Sequence, residues 1–293
     1  MNDTAAEIAS QPDVWRQSLA LTGQAQDELI APGERMLVLG CGTSWFVAQA
    51  LAELRESAGF GETDAVCASE FLPRRHYDRI VAVCRSGTST EVLEALRMVP
   101  ASTRTTVITA VRGEPVDGLT DSQLVLDFAD ERSVVQTRFP TTTLALARHA
   151  FGADLDAVIA DGRAALEMPL PADPAHIEHL VFLGTGWTIG LAHEAALKVR
   201  ESAQAYSESY PAKDFRHGPV AVAGRNSLVW SFGDTPKELD DVAREAGATA
   251  YRSKQDPLAQ LVLAQRFALA MAAHRGLDPD RPRLLTRSVV LTP

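Results

Sequence analysis

The sequence predicts an α/β fold made of two successive units, each a parallel sheet flanked by helices. Three observations carry this. Short β-rich runs alternate with longer amphipathic runs over the whole 293 residues. A strand that ends in glycine and runs into a helix occurs twice, at Leu39-Gly40 and again at Leu183-Gly184. Between the two occurrences lies Glu167-Met168-Pro169-Leu170-Pro171-Ala172-Asp173-Pro174, whose three prolines disfavour both helix and central strand. The first unit is therefore expected over residues 1–165, a linker over 166–175 and the second unit over 176–293.

The elements follow in order. A helix is expected over Thr4–Ile30, then a strand at Met36–Gly40, whose unbroken Met-Leu-Val-Leu run suits burial on both faces. A helix over Ser44–Ala58 comes next, then strands at Thr63–Cys67 and Arg79–Val83. The rest of the first unit reads as a helix over Ser89–Val99, strands at Thr105–Thr109 and Gln123–Leu126, and a long helix over Thr137–Ala160. The second unit opens with a strand at His179–Gly184 and a helix at Ile189–Ala203. It continues with a strand at Ser227–Phe232, a helix at Pro236–Ala246, a short strand at Ala248–Tyr251 and a helix at Pro257–Gly276.

Composition narrows the partners. A formal net charge of −10 opposes binding to a nucleic-acid backbone, although a small anion can still be held by local donors. The most nearly apolar stretch, Leu261–Ala273, is broken by Gln265 and Arg266 and falls short of the ~20 residues a bilayer requires. The opening MNDTAAEIASQPD has neither a basic nor an apolar export region, so a cytoplasmic protein is expected. Cys41, Cys67 and Cys84 show no paired metal spacing and are expected as free thiols. His176 and His179 lack an obvious third ligand, no Gly-x-Ser-x-Gly elbow is present, and neither a metal nor a cofactor is expected.

Four segments can carry chemistry. Gly40-Cys41-Gly42-Thr43-Ser44 joins a strand to a helix, where glycines allow a tight turn and hydroxyls and amides point at one spot. The same residues also read as an N-cap serine after a turn. Cys84-Arg85-Ser86-Gly87-Thr88-Ser89 repeats the arrangement after another strand, with Arg85 as a source of charge, or with Ser89 as a simple cap. On a later helix, Glu194, Lys198 and Glu201 share one face at spacings of four and three, which also describes a solvated ion-pair ladder. His217, in a turn closed by Gly218-Pro219, suits proton transfer or a loop hydrogen bond.

Taken in order, these segments resemble the sugar isomerase (SIS) superfamily, on the pattern of the isomerase half of glucosamine-6-phosphate synthase. The likeness extends over Glu7–Pro12, Ser69-Glu70-Phe71, Glu131–Arg138, Glu194–Glu201, His217-Gly218-Pro219 and Asp280–Val289. It implies two tandem SIS domains with flavodoxin-like sheets, the second shortened between Tyr251 and Pro257, in a homodimer with active sites near the interface. By this resemblance Thr43, Ser44, Ser86 and Ser89 hold a sugar phosphate, and Val134 and Gln136 line the sugar. Glu194 and Arg287 join the substrate-binding set. Glu201 is the carboxylate that moves a proton between the first two sugar carbons, His217 assists ring opening, and Lys198 faces the sugar or supports Glu201.

Several residues depart from that pattern. Arg287 stands where the synthase has an imine-forming lysine, and a guanidinium is a poor amine nucleophile. Cys84 and Arg85 replace a serine and a glutamine, and Thr88 a glutamate. With no glutamine-hydrolysing segment ahead of the SIS pair, the chain is expected not to be a complete synthase. The resulting expectation is a phosphosugar isomerase or deaminase that enolises a 6-phosphorylated amino sugar or fructosamine. The alternative is a non-catalytic phosphosugar sensor, with no nucleic-acid or membrane partner in either case.

Overall fold

Two parallel sheets organise the chain in a computed structural model that describes residues 2–291. The first sheet contains β1 (Met36–Gly40), β2 (Thr63–Cys67), β3 (Arg79–Val83), β4 (Arg104–Thr109) and β5 (Ser122–Val125), in the order β2-β1-β3-β4-β5. The second contains β6 (His179–Gly184), β7 (Tyr206–Pro211), β8 (Ser227–Ser231) and β9 (Thr249–Arg252), in the order β7-β6-β8-β9. Both start from a central strand, step to one side and then return to the other, as flavodoxin-like sheets do. The second is one strand shorter.

The first sheet's unit comprises Asp13–Leu155 and Thr286–Pro293. Its central strands β1 and β3 are buried along their whole length, which explains their lack of polar alternation. Leu37, Leu39, Ile80 and Ala82 face α4 (Thr90–Arg97) through Val92, Leu93 and Leu96. The opposite face is covered by α3 (Thr43–Ser57), which packs on β1 and β2 and against α5 (Arg138–Ala150). Arg55 of α3 is fully buried and donates to the carbonyls of Leu29, Ile30, Ala31, Glu34, Phe60 and Gly61, stitching the loop before β1 to the loop before β2.

The other unit comprises Met1–Pro12 and Asp156–Leu285. Val181, Leu183 and Val229 pack against Phe215 and against Leu239 and Ala243 of α8 (Glu238–Glu245). Helix α7 (Thr188–Ala203) packs on β6 and on α9 (Pro257–His274), and α6 (Asp156–Glu167) also packs on α9. Trp230 of β8 lies 5.9 Å from Phe182 and edge-on to Phe267 of α9 at 6.4 Å. The carboxylate of Asp280 caps α1 (Asp3–Ser18), accepting from the Asp3 amide at 2.7 Å, the Thr4 amide at 2.9 Å and the Thr4 hydroxyl.

Three elements differ from the sequence reading. The first long helix divides at a 3₁₀ turn, Leu19–Leu21, into α1 and α2 (Thr22–Leu29). The helix expected over Thr137–Ala160 stops at Ala150, because Gly152 turns left-handed with φ 97° and the amides of Gly152 and Ala153 close back on His149 and Arg148. Its remainder becomes α6, so the units divide between Leu155 and Asp156 and the proline-rich stretch lies within the second of them. Strand β7 was absent from the reading. Its Tyr-Ser-Glu-Ser-Tyr-Pro sequence is that of a half-exposed edge strand and has no apolar run to announce it.

Candidate functional site

In a sheet ordered β2-β1-β3, the chain turns in opposite directions on leaving β1 and β3, and this opens a crevice at their carboxyl ends. Both hydroxyl-bearing turns lie there. Gly40 ends β1 against the first turn of α3, where a Cβ would meet the Ser44 carbonyl carbon at 2.6 Å, and Gly42 holds φ 55°. Thr43 and Ser44 are buried in that turn. Burial and the neighbouring Cys67 thiol push Cys41 up to about 12, so its sulfur stays a thiol rather than a nucleophile. The corresponding crevice of the second sheet has less to offer a ligand. There Thr188 spends its hydroxyl on the Thr185 carbonyl at 2.9 Å and accepts from the Thr185 amide at 2.8 Å.

After β3 the hydroxyls gather around a residue from the far end of the chain. Ser288 Oγ lies 3.0 Å from Ser86 Oγ, 2.9 Å from Thr88 Oγ1 and 3.5 Å from Ser89 Oγ. The neighbouring backbone anchors it there. The Thr90 amide at the start of α4 donates to the Val289 carbonyl at 3.1 Å, and the Leu291 amide donates to Thr90 Oγ1 at 2.9 Å. One helix-start amide is thus occupied.

Arg85 turns inward. Its guanidinium is 1% exposed, 3.6 Å from the buried Glu131 carboxylate, and donates to the carbonyls of Ser133 at 3.1 Å and Arg287 at 2.9 Å. Glu131 also accepts from the amides of Thr137 and Arg138. The Arg287 side chain reaches Asp130 and the Glu131 carbonyl. Of the two residues expected to line a sugar, Val134 is half-buried, and Gln136 buries Oε1 with no hydrogen-bond partner among the described residues, leaving an acceptor for a donor from outside.

In the other unit, α7 carries a charged triad. Lys198 Nζ is 1% exposed and lies 2.5 Å from Glu201 Oε2 and 3.3 Å from Glu194 Oε1. A ladder in solvent would be open to water, whereas here the ammonium and Glu194 are enclosed and Glu201 alone is partly exposed, at 18%. Glu201 lines a cavity of about 240 Å³ together with Leu197, Arg200, Gln204, Arg283 and Leu285. Burial lowers the Arg200 guanidinium against the pull of Glu201 and Glu194. His217 is exposed at the end of the 3₁₀ turn Ala212–His217, and no hydrogen bond or ion pair joins it to Glu201 among the described residues. His179 bridges Ser227 at 3.0 Å and Glu208 at 3.1 Å, while His176 pairs with Asp173 at 3.2 Å.

Comparison with known proteins finds relatives in sequence and in fold. The chain is 24% identical to the glutamine–fructose-6-phosphate aminotransferase (isomerizing) of Sulfurisphaera tokodaii, an alignment covering 90% of this chain and 51% of the relative. It is 26% identical to the aminotransferase of the same description from Methanothermobacter thermautotrophicus, covering 97% and 57%. These likenesses are consistent with the sugar isomerase (SIS) superfamily. The chain spans about half the length of the curated relatives it matches. No family model matches the chain. The fold is that of the glucosamine-6-phosphate deaminase of Thermotoga maritima, with a TM-score of 0.84, 24% identity and coverage of 99% and 100% of the two chains. The tagatose-6-phosphate ketose/aldose isomerase of Escherichia coli superposes with a TM-score of 0.80 at 22% identity, covering 100% and 96%.

Sequence reasoning missed Ser288 and the partnership of Arg85 with Glu131. Both residues lie in segments that carried the resemblance, but Ser86 and Ser288 are 202 positions apart and no local pattern links them. Gln204 and Arg283, which share the cavity with Glu201, were missed for the same reason.

Proposed function

We propose that the chain is a phosphosugar isomerase or deaminase that moves a proton between the first two carbons of a 6-phosphorylated amino sugar or fructosamine, with release of the amine in the deaminating direction. Thr43, Ser44, Ser86 and Ser89 hold the phosphate, and Val134, Gln136 and Arg287 line the sugar, while Glu194, expected to join them, is enclosed against Lys198. Glu201 takes the proton from one carbon and returns it to the next. His217 serves ring opening, and its exposure on this chain suits a site completed by a second copy in a homodimer. No described helix is long and apolar enough to cross a membrane, and a cytoplasmic setting suits the proposed substrates.

One observation carries the reading. A buried ammonium, Lys198, is bracketed by two carboxylates of which only Glu201 is open to a cavity. A general base must be open to its substrate, and of the two carboxylates Glu201 is the one that lines the cavity. The test is a panel of hexosamine and fructosamine 6-phosphates in deuterated water, following exchange at C2 and release of ammonia or amine. Glu201→Gln is expected to lose ~10²–10⁴-fold in exchange while still binding the phosphate ester. Binding without turnover across the whole panel would return the sensor reading.

A further inference from the structure

We infer that Arg85 is a positioning residue, which clamps the segment Arg287–Leu291 so that the Ser288 hydroxyl joins those of Ser86, Thr88 and Ser89 as a phosphate donor. The inference rests on the phosphate reading above and changes the part Arg85 plays in it. A phosphate ligand would present its guanidinium to the crevice, but Arg85 is 1% exposed and its charge is offset by Glu131, whose side chain is fully enclosed. Its two terminal nitrogens donate to backbone carbonyls from segments distant in sequence, Ser133 and Arg287. One guanidinium thereby joins three pieces of chain: the turn after β3, the segment leading to Gln136, and the segment carrying Ser288. Its planar fork suits this task in a way that a lysine's single nitrogen does not.

The clamp acts one residue before Ser288, and the bonds between Thr90 and Val289 and Leu291 act after it. Held on both sides, Ser288 Oγ stands within 3.5 Å of the hydroxyls of Ser86, Thr88 and Ser89. These hydroxyls bond to one another here, and each can rotate its hydrogen toward an arriving phosphoryl oxygen. With Val289 occupying the Thr90 amide, the Ser288 hydroxyl supplies a donor beside the one that amide has spent.

The test measures inorganic phosphate binding by calorimetry and hydrogen exchange of the peptide 286–291. Ser288→Ala leaves the clamp intact and is expected to weaken phosphate roughly tenfold to a hundredfold, the loss of one hydrogen bond to a charged group. Arg85→Gln combined with Glu131→Gln removes the clamp without stranding a buried carboxylate. It is expected to weaken phosphate by a similar factor and to speed exchange across 286–291. Adding Ser288→Ala to that pair should cost nothing further, because both changes remove the same donor. Full affinity in Ser288→Ala, unchanged exchange in the paired variant, or losses that multiply would each overturn the inference. A wild-type chain that binds no phosphate at all would instead bring down the reading on which it rests.

Discussion

Gly40→Ala tests the link between strand geometry and phosphate affinity most directly. A Cβ at this position would stand 2.6 Å from the Ser44 carbonyl carbon, 2.7 Å from its Cβ and 2.7 Å from its carbonyl oxygen, where ordinary contact begins at 3.4 Å. The first turn of α3 must therefore retreat by roughly 0.8 Å, an overpacking that costs about 1–3 kcal/mol of stability. Ser44 travels with the turn, stretching a phosphate hydrogen bond from about 2.8 Å to about 3.6 Å, beyond useful range. Loss of that charge-assisted bond, about 1.5–3 kcal/mol, predicts phosphate binding weakened roughly ten- to 150-fold. Calorimetric titration with inorganic phosphate reads the affinity, and urea unfolding reads the stability. Gly184→Ala is the control, since its Cβ would meet the Thr188 carbonyl oxygen at 2.3 Å in a turn without the hydroxyl cluster, so stability should fall and phosphate affinity hold. Wild-type phosphate affinity in Gly40→Ala, or an equal loss of affinity in Gly184→Ala, would refute the reasoning.

Three further outcomes are expected. Lys198→Met strips the cation from two carboxylates, one of them buried, and should destabilise by about 3–5 kcal/mol in chemical denaturation, with much of the loss recovered by adding Glu194→Gln. Arg55→Met orphans the loop carbonyls that the guanidinium satisfies and should cost about 2–4 kcal/mol while leaving phosphate titrations unchanged. Burial, reinforced by Arg200, holds His193 below its ordinary value of 6.5, so the unfolded chain takes up the proton first on acidification. Stability contributed by its neutral form is present above about 6.5 and lost as pH falls toward the lowered native value; melting temperatures followed downward from pH 7 should therefore decline less steeply in His193→Gln.

Much of this was legible in the sequence because the signals were local. The central strands carry unbroken apolar runs since both their faces are covered, and Gly40 and Gly184 mark the same close approach of a strand to the helix that follows. The face shared by Glu194, Lys198 and Glu201 followed from helical spacing alone. What that spacing leaves open is enclosure, and enclosure separates a solvated ladder from a buried cation between two acids. The surroundings of Arg85 are hidden for a similar reason. An arginine in a hydroxyl-rich turn reads as charge for an anion until the buried Glu131 is found opposite it. The edge strand β7 and the breaks at Leu19–Leu21 and Gly152 depend on hydrogen bonding that residue type does not announce.

The two units are interleaved along the chain. Residues up to Pro12 join those after Asp156, while the segment from Thr286 onward returns to the unit that began at Asp13. During synthesis on the ribosome, the sheet formed by β1–β5 is therefore complete well before the residue that meets its serines has emerged. A chain ending at residue 155 would leave Ser86, Thr88 and Ser89 without their fourth companion. A protease that trims the last few residues would silence the same cluster while sparing every strand.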